Sequence, residues 1–219
     1  MFEASEEFVK LAGRQPEGFL AKIVTMDESM VSFHTPETNN QSKQWLPRGA
    51  PGPLNARSQA SRKKQMIFAF FDVSGSIYKH FTPIGTKVNS DYLTEVLRRF
   101  LKTFKRKRPS LAAGEWYLHW DNAPIHTSSG MKAFLDAKGI KNLRHPPYSP
   151  DLAPADFFLF PTVKTALSGL TISGNSVQTD WERVIRTLPT EDFRRCFERW
   201  LERHKKCLDL DGGYVEKSD

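Results

Sequence analysis

Residues 65–82, QMIFAFFDVSGSIYKHFT, place two runs of apolar and aromatic side chains on either side of VSGS. Two extended runs joined by so short a glycine-bearing turn fold back on one another as a β-hairpin. A chain with this hairpin must build a sheet, and the residues that follow supply cover for it. NSDYLTEVLRRFLKTFKRKRP, 89–109, has a helical period, with Leu93, Val96, Leu97, Phe100, Leu101 and Phe104 on one face and Pro109 as its stop.

The remaining segments extend the same pattern. A short helix over 3–13 precedes FLAKIVTMDESMVSFH, read as one or two strands with Asp27 between them. EWYLHW is a strand that ends at Asp121, TSSGMKAFLDAKG a helix closed by Gly139, and KNLRHPPYSPDLAP a brief strand and a proline-rich loop. Three helices close the chain: one from about Ala153, one at VQTDWERVIRTL, and TEDFRRCFERWLERHKKCL, with Phe193, Phe197, Trp200 and Leu201 at helical spacing. Strands first, then alternating helix and strand, predict an α/β fold: one domain over 1–219 with a mixed sheet flanked by helices. Between the first strand and the hairpin lie about thirty residues, 35–64, rich in Pro, Gly, Ser and Asn, expected to be a long functional or disordered loop.

Composition excludes several classes. No apolar run of about 18 residues is present to span a bilayer, and the acidic N-terminus MFEASEEFVKLAGRQ has no signal-peptide core, so neither membrane insertion nor secretion is expected. The two cysteines, Cys196 and Cys207, lie on one helix at roughly 16 Å, too far to bridge, as free thiols of a reducing compartment. Net charge is +7, but it is segregated: 41–64 carries six Lys or Arg and no acid, and RRFLKTFKRKR, 98–108, carries seven and no acid. Such blocks suit a polyanion, although cations at a helix end also suit its dipole.

Three acids stand against apolar segments. Asp27 and Asp121 follow strands, and Asp156 falls in the first turn of the helix that Pro154 opens. Singly, each has a structural reading, as a turn former or a helix-dipole partner. Together at the edge of one core, two carboxylates about 4 Å apart repel by roughly 4 kcal/mol, so a cluster calls for protons or a cation. Mg²⁺ takes oxygen ligands and shares its shell with substrate phosphates.

The motifs IVTMDES, HWDNAPIH and HPPYSPDLAPADFFLF, with 34 residues between Asp121 and Asp156, resemble the catalytic core of mariner-type transposases. SKQWLPRG, the VN and Tyr92 ahead of the basic helix, and RCFERWLERHKKCLDLDGGYVE fit the same family over nearly the whole chain. The resemblance implies an RNase H-like fold and an Asp27, Asp121, Asp156 triad that binds two Mg²⁺ or Mn²⁺ ions. It implies cleavage at transposon ends and strand transfer into target DNA, a homodimer, and residence in the nucleus. Arg48, Arg57, Arg62, Lys63 and Lys64 in or beside the long loop are the expected phosphate contacts, and Trp45 packs on a partner subunit, on DNA or within the loop. Asn122 and His126 are read either as ligand-orienting or phosphate-contacting groups or as local caps; Asp151, Glu28 and Asp72 are given structural roles.

Departures from the family pattern set further expectations. Family members carry an N-terminal helix-turn-helix region, and the residues before Asp27 are too few for one, which implies a shortened, degraded or host-adopted form. Met26 stands where the family has Gly and puts a bulky side chain next to the first acid. Pro161 should kink the third-acid helix. The alternative to a catalytic core is therefore a non-catalytic DNA-binding remnant; a nuclease of the same fold acting on RNA or hybrids is a third reading.

Overall fold

The computed structural model describes residues 1–32, 64–168 and 176–215. Five strands form one sheet: β1 (Ile23–Ser32), β2 (Lys64–Asp72), β3 (Gly75–Phe81), β4 (Tyr117–His119) and β5 (Lys141–Leu143), in the order β3-β2-β1-β4-β5. β1, β2 and β3 run antiparallel, while β4 and β5 lie parallel to β1, so the sheet is mixed as expected. β1 is one continuous strand with Asp27 inside it, because β2 pairs with it without interruption from Thr25 to Ser32. The hairpin turn is Val73-Ser74, and Gly75 adopts a φ of 112° that a side chain would strain, with the Phe193 ring 3.8 Å from where its Cβ would lie.

Strict alternation sends the strands' side chains to two separate cores. On one face Val24, Met26, Phe68, Phe70, Leu118 and Trp120 meet α3 (Ser90–Lys107) and α5 (Ser129–Ala137) through Leu93, Val96, Leu97, Phe100, Met131 and Leu135. Phe100 stacks on Phe70 at 4.3 Å, and truncating a buried ring of this kind costs about 3–5 kcal/mol. Asn89 caps α3 by accepting from the Tyr92 amide; α3 ends at Lys107, and Pro109 opens the short α4 (Pro109–Ala113). Gly139, at φ 64°, closes α5.

On the other face Ile23, Ile67, Ala69 and Phe71 are covered by α1 (Phe2–Ala12), α2 (Pro16–Leu20), α6 (Phe160–Leu167), α7 (Ser176–Thr187) and α8 (Thr190–Asp209). Trp200 of α8 is the hub, with ring contacts to Phe8, Phe197 and His119. Cys196 and Cys207 are both free and buried in this helix. Among the described residues no helix is long and apolar enough to cross a membrane.

The break anticipated at Pro161 takes a specific form. Pro161 has no N–H for the regular ladder, and the turn before it, Ala155–Leu159, is π-wound, with the Phe160 amide donating to the Ala155 carbonyl. Asp156 lies in this widened turn. The 35–64 loop and with it Trp45, Arg48, Arg57, Arg62 and Lys63 fall outside the described residues, except that Lys64 is the exposed first residue of β2, paired with Ser32.

Candidate active site

Parallel pairing of β1 with β4 fixes where the first two acids meet. Ile23 lies opposite Tyr117, Val24 opposite Leu118 and Thr25 opposite His119, so the same register carried two residues further sets Asp27 beside Asp121. Both lie beyond the carboxyl end of β4, the end at which open α/β sheets hold ligands. Met26 alternates away from them: it is buried in the opposite core, across from Phe70, so its bulk does not crowd the Asp27 carboxylate. The effect of the bulky side chain beside the first acid, open from the residues alone, is thus decided by strand periodicity.

The third acid is set in place by α8. Trp200 Nε1 donates to the Leu152 carbonyl at 2.8 Å, Arg203 donates to the Asp151 carbonyl at 2.9 Å, and the buried Asp151 carboxylate accepts from the Val215 amide at 2.9 Å. These bonds clamp the 3₁₀ turn Pro150–Leu152, from which the chain enters the Asp156 turn. Arg203 also lies over the Phe157 ring at 4.3 Å. Asp151 therefore shapes the loop, as its structural reading had it.

Electrostatics mark the three carboxylates as a group. Burial holds the Asp27 carboxyl well above the usual carboxylate range, and the charges of Asp156, Glu28 and Asp121 push it the same way. Asp156 is raised as well, first by burial and then by Asp121, against the pull of Lys164. Asp121 goes the other way: His126 donates to it and holds it below its ordinary value. Among the described residues, however, no three His, Cys, Asp or Glu side chains stand at metal-ligating spacing. The acids converge as charges and not as a closed ligand cage, because like charges repel and Asp121 Oδ1 is drawn instead to His126 Nδ1 at 2.7 Å and the Ala123 amide at 3.0 Å. The donor set still fits a hard divalent cation: it is all oxygen, and such an ion would offset the burial and the like charges that hold Asp27 and Asp156 above their ordinary range.

His126 requires a correction. Its side chain is 0% exposed, with Nε2 at 3.0 Å from Glu28 Oε1 and Nδ1 on Asp121, and its ring stacks on Trp120 at 4.7 Å. Both nitrogens are spent on carboxylates, so His126 cannot reach a phosphate; it is a positioning group for Asp121. Two carboxylates raise its pKa to about 10 despite burial, which makes it an imidazolium at neutral pH. Asn122 donates through Nδ2 to the His145 carbonyl at 2.5 Å and remains exposed beside the site. Glu28 is confirmed in a structural role by its bond to His126, and Asp72 by a bidentate pair with Arg108 at 2.7 and 3.0 Å.

Sequence reading did not find the Glu28–His126–Asp121 bridge, nor the buried Thr25–His119–His145 chain, linked at 2.9 and 3.0 Å beneath the site. The i, i+5 spacing of Asp121 and His126 was visible, but Glu28 is 98 residues from His126 and meets it through the β1–β4 pairing alone.

The chain is 31% identical over 212 residues to the Mariner Mos1 transposase of Drosophila mauritiana, an alignment that takes in 95% of this chain and 60% of that protein. The crystal structure of the catalytic domain of Mos1 mariner transposase superposes with a TM-score of 0.79 at 27% identity, covering 97% of this chain and 92% of that one. That of the mariner Mos1 paired end complex with Mg gives a TM-score of 0.87 at 30% identity, over 97% of this chain and 61% of that one. The fold is thus RNase H-like, and the chain spans less than two thirds of the full-length transposase it resembles. The family model for the DDE superfamily endonuclease matches residues 22–172, a span that opens just before β1 and includes all three carboxylates, and by that match the chain belongs to the DDE superfamily endonucleases.

Proposed function

We propose that the chain is the catalytic core of a mariner-type transposase, cleaving DNA at transposon ends and transferring the freed strand into target DNA. The observation that carries this reading is the β1–β4 register that sets Asp27 beside Asp121, with Asp156 near enough for its charge to raise the Asp27 pKa. Asp27, Asp121 and Asp156 are the residues that would hold two Mg²⁺ or Mn²⁺ ions. When bound, such ions activate the attacking hydroxyl and stabilise the leaving oxygen of an in-line displacement at phosphorus. The protein's own part is to hold the donors in place. His126 keeps Asp121 ionised and fixes its rotamer, Glu28 anchors His126 from the neighbouring strand, and the α8 clamp fixes the turn that presents Asp156.

Arg48, Arg57, Arg62, Lys63 and Lys64, with the exposed Asn122, are the proposed phosphate contacts, sequence-independent and therefore salt-sensitive. A homodimer that pairs two DNA ends and residence in the nucleus complete the reading. Supercoiled plasmid incubated with Mg²⁺ or Mn²⁺ tests it. The parent chain nicks the plasmid, and Asp121→Ala does not; DNA retention with no metal-dependent nicking by the parent would instead establish the non-catalytic remnant.

A further inference from the structure

The basic run of α3 is not used by the carboxylate site, and the fold separates the two. Within β1, Asp27 alternates with Met26, which points into the core beneath α3 and α5, so Asp27 lies toward the opposite face of the sheet, and none of the three acids lines the groove on α3. On the solvent side of α3, Arg98, Lys102 and Lys105 recur at i, i+4 and i+7, about 6 and 4.5 Å apart along the axis. Lys138, at the end of α5, faces them across a shallow groove of about 310 Å³ whose floor is Leu101, and no acid lines it.

Some nearby cations are paired, but among the described residues these four are not. Arg99 on the same helix pairs with Glu95, Arg108 with Asp72, and Lys79 with Glu182. Among the described residues no ion pair reaches Arg98, Lys102, Lys105 or Lys138; Arg98 instead lies over the Phe134 ring at 5.6 Å. Asp136 projects about 200° around the α5 axis from Lys138, away from the groove. Four like charges held side by side on rigid helices repel one another, and a polyanion relieves that repulsion.

We infer that the α3–α5 groove is a second nucleic-acid surface, one that takes the phosphate backbone of duplex DNA outside the catalytic site. The chemistry selects this partner. Regularly spaced cations without neighbouring acceptors read charge and not sequence. The one ring at the edge, Phe134, is already covered by Arg98, so the groove offers no platform for unstacked bases. None of the exposed large apolar side chains, such as Ile84, Tyr148 or Tyr214, lies in the groove to anchor it in a lipid surface. The inference rests on the transposase reading for its choice of DNA, and it adds a docking face for duplex whose lining includes none of the three carboxylates.

The test is the salt dependence of binding to a fluorescent 30-base-pair duplex of arbitrary sequence, in EDTA, by anisotropy. Lys102→Gln with Lys105→Gln should make the slope of log K against log salt shallower by about two and weaken binding at least tenfold near 0.1 M salt. Arg98→Gln with Lys138→Gln should do the same, and Lys205→Gln with Lys206→Gln, on α8, should keep the parent slope. All are surface changes whose folding is checked by a cooperative melting curve with no loss of melting temperature. Parent slopes in both groove variants overturn the inference, as does groove-dependent binding to phosphatidylserine vesicles with none to duplex. Plasmid nicking run in parallel with Mg²⁺ reports on the other site: nicking with unchanged slopes removes the groove and spares the transposase reading, while shallower slopes without nicking remove that reading and spare the groove.

Discussion

Replacing His126 with Phe preserves the ring that stacks on Trp120 but removes both bonds to carboxylates. The imidazole pKa rises from 6.5 to about 10 in the fold. A group whose folded pKa is raised contributes fully below its unfolded pKa and loses that contribution as pH climbs to the folded value. At about 1.4 kcal/mol per pH unit, the imidazolium is worth roughly 5 kcal/mol below pH 6.5, about 3 kcal/mol at pH 7.5 and nothing above pH 10. Glu28 is 17% exposed and regains little water when its partner goes, whereas Asp121, at 48%, regains more, so a loss of about 3 kcal/mol at pH 7.5 is the expected result. Urea denaturation in metal-free buffer measures it, and in a chain of this size the melting temperature should fall by about 6–12 °C. The difference between parent and variant should shrink steadily from pH 6.5 to 10. A loss under about 1 kcal/mol at pH 7.5, or one that does not vary with pH, would refute the imidazolium bridge.

Asp27→Asn should remove buried negative charge and raise the stability of the metal-free protein by about 1 kcal/mol. The same change should abolish the melting-temperature gain that millimolar Mg²⁺ or Mn²⁺ gives the parent, and plasmid nicking with it. His145 and His204 are held neutral by burial, at about 4 and about 3. Their folded values are depressed, so the unfolded chain binds more protons and stability should drop as pH falls from about 6.5 toward 4, by up to about 1.4 kcal/mol per pH unit for each ring. His204→Phe, which keeps the stacking on Phe8, should flatten that acid limb in a series of urea titrations.

Much of the fold was legible because periodicity is local. The α3 stripe from Leu93 to Phe104 and the hairpin around Val73-Ser74 are both set by residues within a few positions of one another. Where reading failed, distant residues decided the outcome. Whether one strand or two surround Asp27 was left open by the residues, and β2, which pairs across it, makes them one. His126 was a candidate phosphate contact but is buried, since β1 brings Glu28 to its far nitrogen. Whether Met26 perturbs the first acid was left open by the residues; alternation turns it into the other core.

The amino-acid sequence alone determined which acids are available, Asp27, Asp121 and Asp156, and that each sits against an apolar segment, because hydrophobic patterning is written residue by residue. Tertiary structure alone decided their charge states. Those depend on burial and on the charges brought within a few ångströms, and such neighbours are supplied by strand pairing and helix packing between residues as much as 129 positions apart.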